Sequence, residues 1–296
     1  MKGKSNMKLI VTLSALAAIL GFMMFASWSV GSVAAAPTLS SVPTPLPPAR
    51  DLMLTAGDGA RVAATYWPGV KRDAPAVLLL HGNGASRLQT MDAAIWLSRQ
   101  GYAAMTIDFR GHGESNARPH SFGLFESRDA LAAVRWLKQG SGGAPVAAIG
   151  ISLGSTAALI GDDGPLPVDA LVLQAVYPDI RRAIRNRIAS LTTAGPAWAL
   201  EPLLSLQSKP RFGVWPSRLS PIDAIRRYRG PVMVLGGAAD SFTPPEESRA
   251  LAEAAPGPHW LWLFDRQDHA AMSDQSGPVY RRVLIEFLER TIGRPN

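Results

Sequence analysis

Six short apolar runs, spaced between residues 76 and 264, restrict this chain more than any other feature: AVLLL (Ala76–Leu80), YAAMTID (Tyr102–Asp108), PVAAIG (Pro145–Gly150), ALVLQA (Ala170–Ala175), PVMVLGG (Pro231–Gly237) and HWLWLF (His259–Phe264). Several lack the in/out alternation of a half-buried strand. Continuous apolar runs of this length are what strands covered on both faces look like, so they predict a central, mostly parallel sheet. The intervening stretches Leu88–Gln100, Leu124–Lys138, Ser152–Ile160, Pro244–Ala255 and Pro278–Ile292 carry helical spacing, with Tyr280, Val283, Leu284, Phe287 and Leu288 on one face of the last. The alternation predicts an α/β, doubly wound fold with helices on both faces of the sheet. RDLMLT and ARVAATYW, separated by Gly57-Asp58-Gly59, read as an opening hairpin.

The N-terminus has a different character. Lys2, Lys4 and Lys8 precede an uncharged run that extends to Arg50. Its apolar part, Leu9 to Trp28, is close to the ~20 residues that span a bilayer. Residues 1–36 therefore read as a signal peptide, with cleavage after Ala34 or Ala35, or as an uncleaved membrane anchor. Either places the globular part outside the cytoplasm, secreted, periplasmic or membrane-anchored, because the lysine side stays inside. Residues 37–49 read as a Pro/Ser-rich spacer and residues 50–296 as the folded domain. The formal charge of +7 falls to 27 basic against 23 acidic residues once the three N-terminal lysines are set aside, too mild to indicate nucleic acid. There is no cysteine, which excludes disulfides and thiolate metal sites.

Chemistry enters at VAAIGISLGSTAAL, Val146–Leu159, where an apolar strand runs into Gly150-Ile151-Ser152-Leu153-Gly154 and a helix follows. A GxSxG pattern alone is weak in a chain with 27 glycines. Between a strand and a helix it is the setting of a nucleophile elbow, in which a tight turn lifts the hydroxyl of Ser152 above the sheet edge. The bland alternative is a glycine turn with an incidental serine.

A serine hydroxyl needs a base, and the base an orienting carboxylate. In such folds these follow the serine, in loops after late strands, at the sheet edge to which parallel strands deliver their C-terminal ends. Asp240, in VMVLGGAADSFTPP, and His269, in WLWLFDRQDHAAM, occupy those loops. Asp268 competes as the acid, and Asp240 could instead cap the helix that begins near Pro244. Of the other histidines, His259 opens a strand at the opposite end, and His81, His112 and His120 precede the serine. The turn His81-Gly82-Asn83-Gly84 can direct the backbone N–H of Asn83 at a carbonyl oxygen beside that of Leu153, an oxyanion pair. His81 then braces the loop rather than reacting.

These pieces, together with DFRGHGES (Asp108–Ser115), resemble the α/β-hydrolase superfamily from about Arg50 to Ile292, in particular its exported or membrane-associated esterase, monoacylglycerol-lipase and aminopeptidase-like branches. The resemblance implies Ser152 as nucleophile, Asp240 as acid, His269 as base, Asn83 and Leu153 as oxyanion donors, and no chemistry for His112. The acid turn departs from the family pattern at Ser241 and Phe242 while keeping a proline after Thr243. The interval 177–229 breaks the βαβ rhythm where a cap belongs. It carries Arg181, Arg182, Arg185 and Arg187 with Trp198, Phe212 and Trp215, either a cationic rim around an aromatic pocket or a solvated helix face over ordinary cap core.

The expected function is an exported or membrane-anchored serine hydrolase of carboxylic esters, acting through an acyl-enzyme on a small-molecule, lipid-like or simpler ester. It requires neither cofactor nor metal. The alternatives are a serine peptidase or amidase with the same triad, and a non-catalytic binding protein on a hydrolase scaffold.

Overall fold

The computed structural model describes residues 2–192 and 194–295. Helix α1 (Lys2–Ala34) comes first, followed by an extended segment with a two-residue strand, β1 (Thr38–Leu39). Strands β2 (Arg50–Thr55) and β3 (Arg61–Trp67) form the opening hairpin, antiparallel and in register from Arg50↔Tyr66 to Thr55↔Arg61. Then come β4 (Ala76–Leu80), α2 (Met91–Arg99), β5 (Ala103–Ile107), the short β6 (His112–Gly113), α3 (Glu126–Gly140), β7 (Val146–Ile151), α4 (Leu153–Leu159) and β8 (Ala170–Gln174). Four helices, α5 (Ile180–Leu191), α6 (Ala194–Ser205), α7 (Ser208–Phe212) and α8 (Pro221–Ile225), occupy the chain before β9 (Val232–Gly237), α9 (Pro245–Ala254), β10 (His259–Phe264) and α10 (Pro278–Thr291).

The eight strands of the main sheet lie in the order β10-β9-β8-β7-β4-β5-β3-β2, with β4, β5, β7, β8, β9 and β10 parallel to one another. All five residues of β4 are buried, and they divide between two cores. Leu78 and Leu80 belong to the core that also holds Val134 of α3, Ala158 of α4 and Leu251 of α9, while Val77 and Leu79 belong to the one that holds Leu97 of α2 and Leu284 of α10. Covering on both faces is the physical reason these strands carry no polar alternation. β10 is the exception. It reads as a continuous apolar run, yet Trp260 and Trp262 remain 38% and 40% exposed, because an edge strand is covered by fewer neighbours. Trp260 is edge-on to Phe287 of α10, with ring centroids 5.5 Å apart.

The segment after α1 is extended, as its prolines require, but it is also docked. β1 pairs in parallel with β6, Thr38 opposite His112, and the Val42 N–H donates to Glu114 Oε1 at 3.1 Å. Ile10–Ala34 of α1 is long and apolar enough to cross a membrane by length and composition, with none of its most hydropathic window buried.

Candidate active site

The turn from β7 into α4 is built by what cannot fit there. A Cβ at Gly150 would lie 2.3 Å from the Ser155 nitrogen, and one at Gly154 would lie 2.3 Å from the Leu80 carbonyl oxygen. With both glycines in place, Ser152 takes φ +49° and ψ −105°, a conformation that a non-glycine residue holds only when its surroundings impose it. Its N–H donates to Gln174 O of β8 at 2.8 Å. Ser155, which sequence reasoning passed over, braces the same turn: its hydroxyl donates to Gly150 O at 2.6 Å and accepts from the Gln174 N–H at 2.9 Å. Nothing in its sequence context marks it, since a serine in a first helical turn is commonplace.

Asp240 and His269 come from the loops after β9 and β10, and backbone bonds tie these loops together. Ala238 N–H donates to Phe264 O at 2.9 Å and Ala239 N–H to Gln267 O at 3.0 Å. The Asp240 carboxylate is fully buried and accepts four hydrogen bonds: from Phe242 N (2.8 Å) and Thr243 N (2.9 Å) on Oδ1, and from Thr243 Oγ1 (2.6 Å) and His269 Nδ1 (2.8 Å) on Oδ2. Burial pushes its pKa up, but the hydrogen bonds from His269 and Thr243 outweigh burial and leave it below the ordinary value. An ionised carboxylate has no proton to give, so His269 Nδ1 carries the hydrogen of this bond, and in the neutral ring it is Nε2 that holds the lone pair. Asp240 therefore does not cap α9. Asp268, the competing acid, is exposed and spends Oδ1 on the Ala271 N–H at 2.8 Å, starting the 3₁₀ turn Ala271–Ser273.

Asn83 and Leu153 line the same cavity as Ser152 and His269. The amides flanking Asn83 are occupied: Gly82 N–H donates to Gln89 Oε1 at 2.7 Å and Gly84 N–H to His112 Nε2 at 3.1 Å. His81 braces its loop, donating from Nδ1 to Gly82 O (2.7 Å) and accepting from Phe109 N–H on Nε2 (3.0 Å). His112 is held in the same tautomer, Nδ1 donating to Arg110 O at 3.0 Å, and stacks on His120 with centroids 3.8 Å apart. Burial pushes His81 down to about 4 and His112 down to about 3. DFRGHGES is thus the scaffold beneath the Asn83 turn. Its Asp108 is fully buried against the Arg87 side chain and also accepts from the Arg87 backbone N–H at 2.6 Å, while Arg110 is clamped between Asp129 and Asp58. His259 is exposed at the first residue of β10, the opposite end of the strand from the His269 loop, and pairs its Nδ1 with Gly257 O at 3.0 Å.

The cavity, about 460 Å³, is mainly apolar. Ile180, Ile184 and Ile188 of α5, Leu204 of α6, Phe212 and Phe122 form much of its wall, and Phe242 lies beside His269, ring centroids 5.3 Å apart. Of the two readings of the interval 177–229, the aromatic pocket holds only in part: Phe212 lines the cavity, but Trp198 and Trp215 are 65% and 58% exposed and lie outside its lining, under Arg185 and Lys209 respectively. The arginines divide too. Arg181 and Arg185 approach Glu201 at 3.7 Å, whereas Arg187 lines the cavity with its guanidinium 4.4 Å from the Phe242 ring centroid.

Residues 75–213 match the family model described as the alpha/beta hydrolase fold. An uncharacterised protein of Mycobacterium tuberculosis is 30% identical over 258 residues, covering 86% of this chain and 83% of its own. The lysophosphatidylserine lipase ABHD12 of Danio rerio is 27% identical over 66% of this chain, a stretch that spans 51% of the lipase. Among solved structures, the Pyrococcus furiosus esterase Pf2001 superposes with a TM-score of 0.67 at 20% identity, covering 87% of this chain and 99% of the esterase. Together with the sheet order and the strand–serine–helix turn, these likenesses make the chain a member of the α/β-hydrolase fold family.

Proposed function

We propose that the protein is a serine hydrolase of carboxylic esters. The observation that carries this reading is the His269 Nδ1–Asp240 Oδ2 hydrogen bond, which leaves Nε2 free in the cavity lined by Ser152. Ser152 Oγ attacks the ester carbonyl and its proton passes to His269 Nε2. Asp240 stabilises the imidazolium, and the N–H groups of Asn83 and Leu153 receive the oxyanion. As the tetrahedral intermediate collapses, the C–O bond to the leaving alcohol breaks and the alcohol takes the proton from His269. Water, activated by the same ring, then releases the acid from the acyl-serine.

Ester rather than peptide substrates are favoured by the charge of the wall. Among the described residues, Asp179, Glu201 and Asp223 do not line the cavity, so no carboxylate from this interval stands ready for a substrate amine; its charged lining is Arg187 and Arg211. The esterase and lipase relatives point the same way. The test is labelling of the full chain with a fluorophosphonate, alongside p-nitrophenyl ester turnover. Wild type is expected to label, and Ser152→Ala to lose both labelling and turnover with an unchanged thermal transition. Appreciable residual hydrolysis by the pure variant would sink the assignment.

A further inference from the structure

Helix α1 does not merely precede the domain; its last turns pack on the helices over the site. Ser27 Oγ donates to Leu203 O at 2.7 Å, and Gln207 Nε2 donates to Ser27 O at 2.9 Å. Arg211 donates to Trp28 O (2.7 Å) and Ser32 Oγ (2.9 Å), with its guanidinium 3.8 Å from the centroid of the Trp28 ring. Gly31 marks the closest approach: a Cβ there would lie 2.2 Å from Gln207 Oε1. Directly after the helix, Ala35 is 3% exposed and its carbonyl accepts the His120 N–H at 2.8 Å. Val30, Gly31 and Ala34 are consequently part of the wall of the cavity that holds Ser152 and His269. Cleavage after Ala34 or Ala35 would remove that wall.

Depth follows from helix geometry. Leu9 to Trp28 is about the 20 residues that cross a hydrocarbon core, and Val30–Ala34 then lie within roughly 9 Å beyond it at 1.5 Å per residue, among the headgroups. The neighbouring surface suits that depth. Trp198 on α6, which α1 touches, Leu206 and Trp215 in the turns on either side of α7, and Leu191 at the end of α5 are large, apolar and exposed. Arg185 lies over Trp198, Lys209 over Trp215 and Arg211 over Trp28, pairing cations with the aromatic residues that favour a membrane interface. Exposed apolar side chains beside a helix long and apolar enough to cross a membrane fit contact with a bilayer.

We propose that α1 is retained as an anchor whose last two turns wall the catalytic cavity, and that α5–α7 rest on the bilayer, so the site draws amphiphilic esters directly from the membrane. The substrate part rests on the ester-hydrolase reading above. The acyl chain occupies the apolar cavity against Val30 and Ala34, and the ester bond lies at the headgroup boundary.

The test uses the full chain, recovered from membranes and reconstituted in phosphatidylcholine vesicles. Intact mass should show the uncleaved protein; a chain beginning at residues 35–37 would overturn the proposal without touching the hydrolase reading. Ala34→Trp should lower kcat/KM for C12–C16 p-nitrophenyl esters at least tenfold relative to C4, while Ser152 still labels. Val33→Trp, at a position 77% exposed, should leave the profile unchanged. An identical chain-length profile in Ala34→Trp and wild type refutes the wall. If Ala34→Trp does not fold, Val30→Ala, which removes bulk, should move the optimum to longer chains, and an unmoved optimum is equally adverse. Trp198→Ala with Trp215→Ala should slow hydrolysis of a monoacylglycerol held in the vesicles at least fivefold and spare the soluble C4 ester; equal rates overturn the bilayer contact. Absence of Ser152-dependent labelling in wild type would instead defeat the hydrolase reading, and an uncleaved mass would then still support the retained helix.

Discussion

Asp240 has every lone-pair direction occupied, and that satisfaction is why a buried carboxylate can stay ionised beside an imidazole. Asp240→Asn keeps the shape but offers His269 an amide donor or a poorer acceptor, which favours the wrong tautomer. We expect kcat for a p-nitrophenyl ester to fall about 10³- to 10⁴-fold with KM little changed, read by steady-state kinetics. The buried rings of His81 and His112 make a second prediction. Each accepts a backbone N–H on Nε2, so a proton there would both charge a buried ring and break a bond. Their folded pKa values, about 4 and about 3, lie below the ordinary value near 6.5, so the unfolded chain takes up protons first. Their contribution to stability is complete above about pH 6.5 and is lost as pH falls toward 4 and 3, at up to about 1.4 kcal/mol per ring per pH unit. Thermal melts from pH 7 to pH 5 should show a falling Tm; a Tm constant over that window would contradict it.

At the scale of elements, the elbow depends on the crossing of α4 over β4 as much as on the turn itself. The Leu80 carbonyl and the Gly154 backbone approach so closely that no side chain fits between them. Gly154→Ala must push the start of α4 away from the sheet, with an expected loss of about 3 kcal/mol in a denaturant melt and a displaced Ser152. The small residues of α4 answer the same demand, since Ala157 and Ala158 let it sit low on the sheet. Legibility at this scale was uneven. Strand runs stood out because burial on both faces removes polar residues, and β4 and β10 coincide with the runs AVLLL and HWLWLF. The helix expected over Leu88–Gln100 begins instead with a 3₁₀ turn, Arg87–Thr90, where Arg87 turns inward to Asp108. A buried arginine whose partner lies 21 residues away leaves no local signal.

Over the whole molecule, the segment between α1 and β2 is the connection most sensitive to how the chain is cut. A protein beginning at residue 50 loses β1, the Val42 bond to Glu114 and the Ala35 acceptor of the His120 amide. Its Tm should lie about 2–4 °C below that of the full chain, as a loss of about one to two kcal/mol implies for a domain of this size; equal transitions would show that the docked segment contributes nothing. The amino-acid pattern alone indicated the parallel strands, the helices that alternate with them and the short set of candidates Ser152, Asp240, His269, Asn83 and Leu153, because periodicity and turn chemistry are local and parallel strands deliver their loops to one edge; the strand order and the helices of the interval 177–229 it left open. It preferred Asp240 to Asp268 but could not show which carboxylate the loops bury beside the ring. Nor could it foresee that α1 turns back onto α6 and α7, or that Trp198 and Trp215 stay outside while Phe212 goes in. Those outcomes depend on contacts between residues far apart in the chain, and only the tertiary structure sets which side chains meet.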